Sequence, residues 1–148
     1  MWRRILWAPV NPSMIKGKKN SMADEEIKRK ILLVDDDLMT VSMMSRGILS
    51  MGFEALKAYS GQEALAIIKQ GQVDLVILDQ MMPKMHGIKV CALIKADKRY
   101  RHIPVIILTA SADESVKKLS EEVGADAFCN KPMDITVLER KIRELLKI

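Results

Sequence analysis

The stretch "KILLVDDDLMT" (residues 30–40) places a short apolar run directly before three adjacent aspartates. The apolar residues 31–34 are continuous and do not alternate with polar ones, which is typical of a strand buried on both faces of a parallel sheet. Asp35, Asp36 and Asp37 follow at once. Adjacent carboxylates repel one another unless a cation lies near them. The stretch therefore predicts a buried parallel strand that ends at a site for positive charge.

Four other segments are predicted to be strands. "VDLVILD" (residues 73–79) and "IPVIILT" (residues 103–109) show the same continuous apolarity. "FEALKA" (residues 53–58) and "ADAFCN" (residues 125–130) are less apolar and are predicted near the sheet edges. Amphipathic segments follow each of the five runs. This order predicts an α/β fold of five strand–helix units, in which right-handed crossovers give one parallel sheet with helices on both faces.

The segments between the strands carry signals for helix ends. Asp37 is predicted to be the N-cap of the first helix rather than a metal ligand. Ser60 with Glu63, and Ser111 with Glu114, match the capping box. The glycines predicted to end the first, second and fourth helices are Gly52, Gly71 and Gly124. The residues predicted to face the core are Ile88, Cys91 and Ile94 in a third helix near residues 87–97, and Ile135, Leu138, Ile142 and Leu145 in the fifth.

The net charge of +5 is concentrated at the start of the chain. Residues 1–30 hold eight of the 24 Lys and Arg residues and three of the 19 Asp and Glu residues, so sixteen of each remain in residues 31–148. A domain without excess positive charge lacks the electrostatic pattern of a nucleic-acid-binding domain. Cys91 and Cys129 have no CxxC spacing and are predicted to be free thiols of a cytoplasmic protein.

Residues 1–28 are predicted to be a basic, disordered leader, because they lack sustained periodicity and contain Pro9, Pro12 and Gly17. The apolar run in "MWRRILWAPV" is shorter than the core of a signal peptide. An alternative is contact with an anionic membrane surface through Trp2, Ile5, Leu6 and Trp7. Another is an upstream extension, with Met14 or Met22 as the working start. No segment approaches the length of a membrane span.

Polar residues stand where the predicted strands end. Asp35 and Asp36 follow the first strand, Asp79 ends the third, Thr109 ends the fourth, and Lys131 follows the fifth. The carboxyl ends of parallel strands share one edge of the sheet, where ligands bind. One ammonium is too little charge for the carboxylates, and a hard divalent cation such as Mg²⁺ fits the remainder. The absence of His and Cys from this set disfavours zinc.

The chain from residue 30 to residue 148 resembles the receiver domain of two-component response regulators. The matching pieces are "LLVDDD", "LVILDQMMPKMHG", "PVIILTA" and "GADAFCNKPMD", in the order and spacing of that family. The resemblance implies a (βα)5 doubly wound, five-stranded parallel sheet of the flavodoxin-like, CheY-like type. It implies a receiver domain at residues 29–148 that is not an enzyme and acts as a stand-alone, single-domain response regulator in a phosphorelay.

The resemblance also assigns roles at matching positions. Asp79 would accept a phosphoryl group from the histidine of a sensor kinase or of a phosphotransfer protein. Asp35, Asp36 and Asp79 would hold Mg²⁺ together with the backbone carbonyl of Met81. Lys131 would pair with the phosphoryl group, and the peptide bond that follows it is expected to be cis.

Signal output would begin at two further positions. Thr109 would donate its hydroxyl to the phosphoryl group, and Phe128 would turn inward behind it. The altered surface, residues 112–148, would then bind a downstream protein. Met81 and Ser111 lack charged or amide groups that hold an attacking water, which implies a moderately long-lived phosphorylated state. The expected protein is a monomer or weak dimer that binds no nucleic acid.

Four other functions fit the sequence less well than a receiver does. A phosphatase of the haloacid dehalogenase type has a DxDxT motif, for which Asp35 and Asp37 fit but Met39 stands in place of threonine. A nucleotide-binding module would need a glycine-rich loop after a strand, and none is present. A structural pseudo-receiver is disfavoured because Asp79, Thr109 and Lys131 are all present. A DNA-binding regulator is disfavoured by the balanced charge of residues 31–148.

Overall fold

Strands and helices alternate along residues 27–110 and 113–148, which are the residues described by this computed structural model. The strands are β1 (Lys30–Val34), β2 (Glu54–Ala58), β3 (Leu75–Asp79), β4 (Val105–Thr109) and β5 (Ala127–Asn130). The helices are α1 (Leu38–Ser50), α2 (Gly61–Gln70), α3 (Gly87–Ala96), α4 (Glu114–Glu122) and α5 (Ile135–Leu146). The five predicted strand–helix units are therefore confirmed.

The five strands form one parallel sheet in the order β2-β1-β3-β4-β5. The two weaker apolar segments, β2 and β5, lie at the edges, as their composition predicts. The strand order reverses at β1, which pairs with β2 on one side and with β3 on the other. Such a reversal opens a crevice at the carboxyl ends of the strands. The chain segments that follow β1 and β3 therefore lie side by side at this crevice.

The core consists of two apolar layers, one on each face of the sheet. Leu32 and Val34 pack toward α2, α3 and α4, whereas Ile31 and Leu33 pack toward α1 and α5. Successive strand residues point to opposite faces, so a continuous apolar run fills both layers. Burial of each such side chain contributes roughly 1.5–3 kcal/mol of transfer free energy. The continuous runs identified in the sequence are thus the centre of the core.

The first two helices begin at the predicted caps. Asp37 accepts hydrogen bonds from the backbone N–H of Met39 at 3.2 Å and from Thr40 Oγ1 at 2.6 Å. Ser60 Oγ accepts from the N–H of Glu63 at 3.1 Å, while Glu63 reaches back to the N–H of Tyr59. The glycines after α1, α2 and α4 all have positive φ, a conformation that glycine adopts without steric cost: Gly52, Gly71 and Gly124.

The predicted start of the fourth helix was wrong. Asp113 is the N-cap of α4, and its carboxylate accepts from the N–H of Ser115 at 2.9 Å. Glu114 is therefore the first residue of the helix and not the third residue of a capping box. Aspartate caps a helix as well as serine does, so the helix can begin two residues later than Ser111 would place it. Ser111 itself lies outside the described residues.

The sequence also led to predictions about the cysteines, about membrane-spanning segments and about the start of the chain. Cys91 and Cys129 are buried free thiols, as predicted, and belong to opposite apolar layers. Within residues 27–110 and 113–148, no helix is long and apolar enough to cross a membrane. The predictions made for residues 1–26, including those for the leader and its tryptophans, lie outside the described residues.

Candidate functional site

Three of the predicted site residues meet at the crevice between β1 and β3. Carboxylate oxygens of Asp35, Asp36 and Asp79 all lie within 4.8 Å of one another. Asp35 and Asp79 are buried, and Asp36 is exposed. The pairing of Val34 with Leu78 sets this geometry, because it brings the next residue of each strand to the same level of the sheet. The cluster is therefore a direct consequence of the strand register.

Lys131 follows the edge strand β5, and its side chain reaches this acidic cluster. Its Nζ lies 2.8 Å from Asp35 Oδ2 and 3.0 Å from Asp79 Oδ1. Its backbone N–H donates to the carbonyl of Thr109 at 2.7 Å, which holds the start of the β5–α5 segment against the end of β4. The long side chain can then cross β4 to reach the cluster. One ammonium against three carboxylates still leaves an excess of negative charge.

Burial and hydrogen bonding act in opposite directions on the pKa of Asp79 and on that of Lys131. Burial raises the pKa of Asp79, and the nearby charge of Asp35 adds to this, although the hydrogen bond from Lys131 opposes it. Burial by itself lowers the pKa of Lys131, but its hydrogen bonds to Asp35 and Asp79 raise it above the usual value. The lysine is therefore protonated at neutral pH, and a cation close to Asp79 relieves the cost of its burial.

The donors present fit a hard divalent cation. The cluster offers only carboxylate oxygens, and Mg²⁺ prefers such ligands and retains several waters. Asp37 is not part of this set, because both of its oxygens accept hydrogen bonds at the start of α1. Its role as a cap removes the second carboxylate that a DxDxT phosphatase motif would need.

The structure also describes the other predicted site residues, which are Thr109, Phe128 and Met81. Thr109 is buried at the end of β4, one residue beyond the position that pairs with Asp79. Phe128 lies in β5 opposite Ile107 and packs on the apolar layer under α2, α3 and α4. The side chain of Met81 is 60% exposed in the loop after β3. The Lys131–Pro132 peptide is cis, as expected.

Sequence reasoning missed Gln80, which is buried beside Asp79. Its backbone N–H donates to Leu108 at 2.8 Å, and its carbonyl accepts from Gly87 at 3.1 Å. Its side-chain Oε1 accepts from the N–H of Ile88, in the first turn of α3, at 2.8 Å. The residue before α3, His86, makes no side-chain cap. A helix without a capping residue needs another acceptor, and that was the signal available in the sequence.

Gly87 is the second residue that packing explains. A Cβ atom at this position would lie 2.5 Å from the carbonyl oxygen of Asp79. Only glycine therefore allows α3 to begin against the end of β3. Gln80 and Gly87 together fix the loop that follows Asp79.

The comparisons with known proteins agree with this architecture. The family model described as "Response regulator receiver domain" matches residues 31–143. The probable transcriptional regulator ycf27 of Cyanophora paradoxa is 38% identical over 120 residues, which are 81% of this chain and 49% of that protein. The transcriptional regulatory protein CpxR of Klebsiella pneumoniae is 40% identical over 118 residues, 80% of this chain and 49% of that protein. The chain thus spans about half the length of the curated relatives it matches.

Solved structures give the same result over nearly their whole length. The chemotaxis protein CheY4 of Vibrio cholerae superposes with a TM-score of 0.75 at 28% identity, covering 80% of this chain and 98% of that one. A response regulator structure from Chloroflexus aurantiacus has a TM-score of 0.77 at 29% identity, covering 82% and 99%. With a doubly wound sheet, an acidic cluster at its crevice and a family match over most of the chain, this protein belongs to the receiver domain family of two-component response regulators.

Proposed function

We propose that this chain accepts a phosphoryl group on Asp79 from a phosphohistidine of a sensor kinase or phosphotransfer protein. The observation that carries the proposal is the environment of Asp79. It is a buried carboxylate at the end of β3, grouped with Asp35 and Asp36 and paired with Lys131 at 3.0 Å. Burial raises the pKa of this carboxyl.

The reaction requires alignment and neutralisation of charge more than covalent assistance. A carboxylate oxygen of Asp79 forms a bond to phosphorus as the bond from phosphorus to the donor nitrogen breaks, and the electron pair returns to the imidazole. Lys131 supplies positive charge next to the incoming phosphoryl oxygens. Asp35, Asp36, Asp79 and the carbonyl of Met81 would hold Mg²⁺, which when bound neutralises further phosphoryl charge.

Output begins with two residues at the carboxyl edge of the sheet. The hydroxyl of Thr109 would donate to the phosphoryl group on Asp79. Phe128 is half-buried in the neighbouring strand, so the space vacated by Thr109 can be filled by rotation of its ring. The ring has no hydroxyl, so the switch depends on packing alone. The change shifts a two-state population and alters the surface formed by residues 112–148.

The partner of that surface is a downstream protein in this proposal. The balanced charge of residues 31–148 argues against direct nucleic-acid binding, although several relatives are named as transcriptional regulators. The receiver unit is assigned to residues 29–148, and its buried free thiols favour a cytoplasmic location. Because Met81 and Ser111 lack charged or amide groups that could hold an attacking water, the phosphorylated state should last longer than a few seconds.

Mass spectrometry of the intact protein tests the proposal. We expect one phosphoryl group to be gained from acetyl phosphate only when Mg²⁺ is present. Asp79→Asn should abolish this gain. Asp37→Asn is the matched control, because asparagine is an equally good helix cap and Asp37 lies outside the cluster. A gain that survives Asp79→Asn would refute the assignment.

A further inference from the structure

An apolar groove lies beside the acidic cluster, between α1 and the start of α5. It has a volume of about 380 Å³, within the roughly 300–1,000 Å³ typical of ligand pockets. Met44 of α1 forms one wall, and Pro132, Met133 and Ile135 form the other. Ile135 is 45% exposed, so the groove opens to solvent. We call this feature the site groove.

Two exposed methionines of α1 stand directly before the two α1 residues that line the site groove. Met39 and Met43 are 73% and 68% exposed. They are the sequence neighbours of Thr40 and Met44, the two α1 residues that line the groove. Large apolar side chains grouped in this way mark an interaction surface. Methionine suits such a surface because its side chain adapts to the shape of its partner.

Three exposed carboxylates stand within four residues of groove-lining residues in the sequence. Asp36 and Asp37 precede Thr40, and Asp134 stands between Met133 and Ile135. Lys131 also lines the groove, but its ammonium is already paired with two carboxylates of the acidic cluster. The groove therefore suits a ligand that combines large apolar side chains with positive charge.

The first residues of the chain have this composition. The segment "MWRRILWAPV" (residues 1–10) contains four large apolar residues, Trp2, Ile5, Leu6 and Trp7, next to two arginines. Residues 1–20 contain five Lys and Arg residues and no Asp or Glu. We propose that residues 1–10 dock in the site groove of their own chain.

The length of the intervening chain permits this contact. Residues 11–29 connect the segment to β1, and a chain of that length would span roughly 24 Å as a random coil. β1 is five residues long, so the amino and carboxyl ends of the strand are roughly 17 Å apart. A tether of this kind gives an effective concentration on the order of 1 mM, so a site with an intrinsic Kd of about 0.1 mM would be about nine-tenths occupied.

Tryptophan fluorescence tests the proposal directly, because both tryptophans of the chain lie in residues 1–10. In the full-length protein we expect emission at shorter wavelength than in a synthetic peptide of residues 1–20. Quenching by acrylamide should be weaker by at least about twofold, given the expected occupancy. These readouts do not depend on phosphorylation, so failure here is separate from failure of the proposed function.

Two matched variants locate the docking site. Ile135→Glu places a charge in the site groove and should restore the emission and quenching of the free peptide. Leu119→Glu is the control, because Leu119 lies on α4 and is 46% exposed, against 45% for Ile135. It should leave the fluorescence unchanged. Far-ultraviolet circular dichroism checks that both variants fold. Arg3→Glu with Arg4→Glu leaves the described domain intact and should also release the segment.

Four outcomes would overturn the proposal. The tryptophans of the wild-type protein could already behave like those of the peptide. Protection could persist in Ile135→Glu, which would place the segment elsewhere. It could disappear on dilution, which would assign the contact to a second copy of the chain. It could arise only on addition of anionic phospholipid vesicles, which would identify a membrane surface as the partner.

Discussion

At the residue scale, the site depends on how the buried carboxylate of Asp79 is tolerated. Its desolvation is offset by Lys131, whose ammonium bridges Asp35 and Asp79 at 2.8 and 3.0 Å. An excess of carboxylate oxygens remains, and a divalent cation fits it. The same residues therefore stabilise the site in the absence of a phosphoryl group and, under the proposed function, would also receive one.

Gln80 allows a prediction at the same scale. Its Oε1 accepts from the N–H of Ile88 at 2.8 Å, and both groups are buried. Gln80→Leu keeps a side chain of similar size but leaves that N–H without its acceptor. We expect the free energy of unfolding to fall by about 1–3 kcal/mol, measured by urea denaturation. Phosphoryl gain from acetyl phosphate should also slow, because the loop after Asp79 loses an anchor.

Gln62→Leu is the control for this prediction. Gln62 is an exposed residue of α2, so its substitution should change the stability by less than about 0.5 kcal/mol. Equal stability of the Gln80 variant and this control would show that the Gln80 hydrogen bond does not hold α3 in place.

At the element scale, the contact between the end of β3 and the start of α3 positions Asp79. Gly87→Ala would place a methyl group 2.5 Å from the backbone oxygen of Asp79, which cannot move without displacing the strand. We expect the midpoint of urea denaturation to fall. We also expect Mg²⁺ binding, measured by titration calorimetry, to weaken. The physical reason is that α3 must shift away from the strand that carries the carboxylate.

Gly47→Ala provides the comparison within α1. Its added Cβ would meet only the end of the Ile135 side chain, at 2.7 Å, and that end can rotate away. Alanine also favours a helix over glycine by about 1 kcal/mol, which offsets the cost of the rearrangement. A Gly47 variant that loses as much Mg²⁺ affinity as the Gly87 variant would contradict the proposed role of the β3–α3 contact.

The sequence predicted the elements well where one local signal dominated. Continuous apolar runs identified the three central strands, and weaker runs identified the edge strands β2 and β5. Asp37 and Ser60 cap their helices as predicted. The start of α4 was wrong because two acceptable caps, Ser111 and Asp113, stand close together in the sequence. Local propensity cannot choose between caps of equal strength.

At the scale of the whole molecule, burial of the core has a consequence for alkaline stability. Burial raises the pKa of the Cys91 thiol from 9.0 to about 11. The unfolded chain therefore loses this proton first. The associated stability is full below pH 9 and falls as the pH rises toward 11, by about 1.4 kcal/mol per pH unit within that range.

Urea denaturation at a series of pH values measures this effect. Cys91→Ala removes the thiol and should weaken the dependence of the unfolding free energy on pH between 9 and 11. Its stability at pH 7 should be lower, because the smaller side chain leaves space in the core. Parallel pH profiles of the two proteins would mean that Cys91 does not contribute to alkaline unfolding.

Long-range geometry set the limit of sequence-based prediction for the candidate site. The presence of Asp35, Asp36, Asp79, Thr109 and Lys131 at one edge of the sheet followed from parallel strands alone. The reach of Lys131 across β4 depends on the β4–β5 register and on the bond from its N–H to Thr109, which no local pattern contains. Gln80 was missed for the related reason that its partner, Ile88, belongs to the next helix.

The identity of the phosphorylated residue is the most direct test of the account. The protein would be incubated with acetyl phosphate and Mg²⁺ and then treated with borohydride, which reduces an acyl phosphate to an alcohol. Peptide mass spectrometry would then locate the reduced side chain. We predict reduction at Asp79 alone. Reduction at Asp35, Asp36 or Asp37 instead, or none in a folded protein that binds Mg²⁺, would contradict the assignment of Asp79 as the phosphoacceptor.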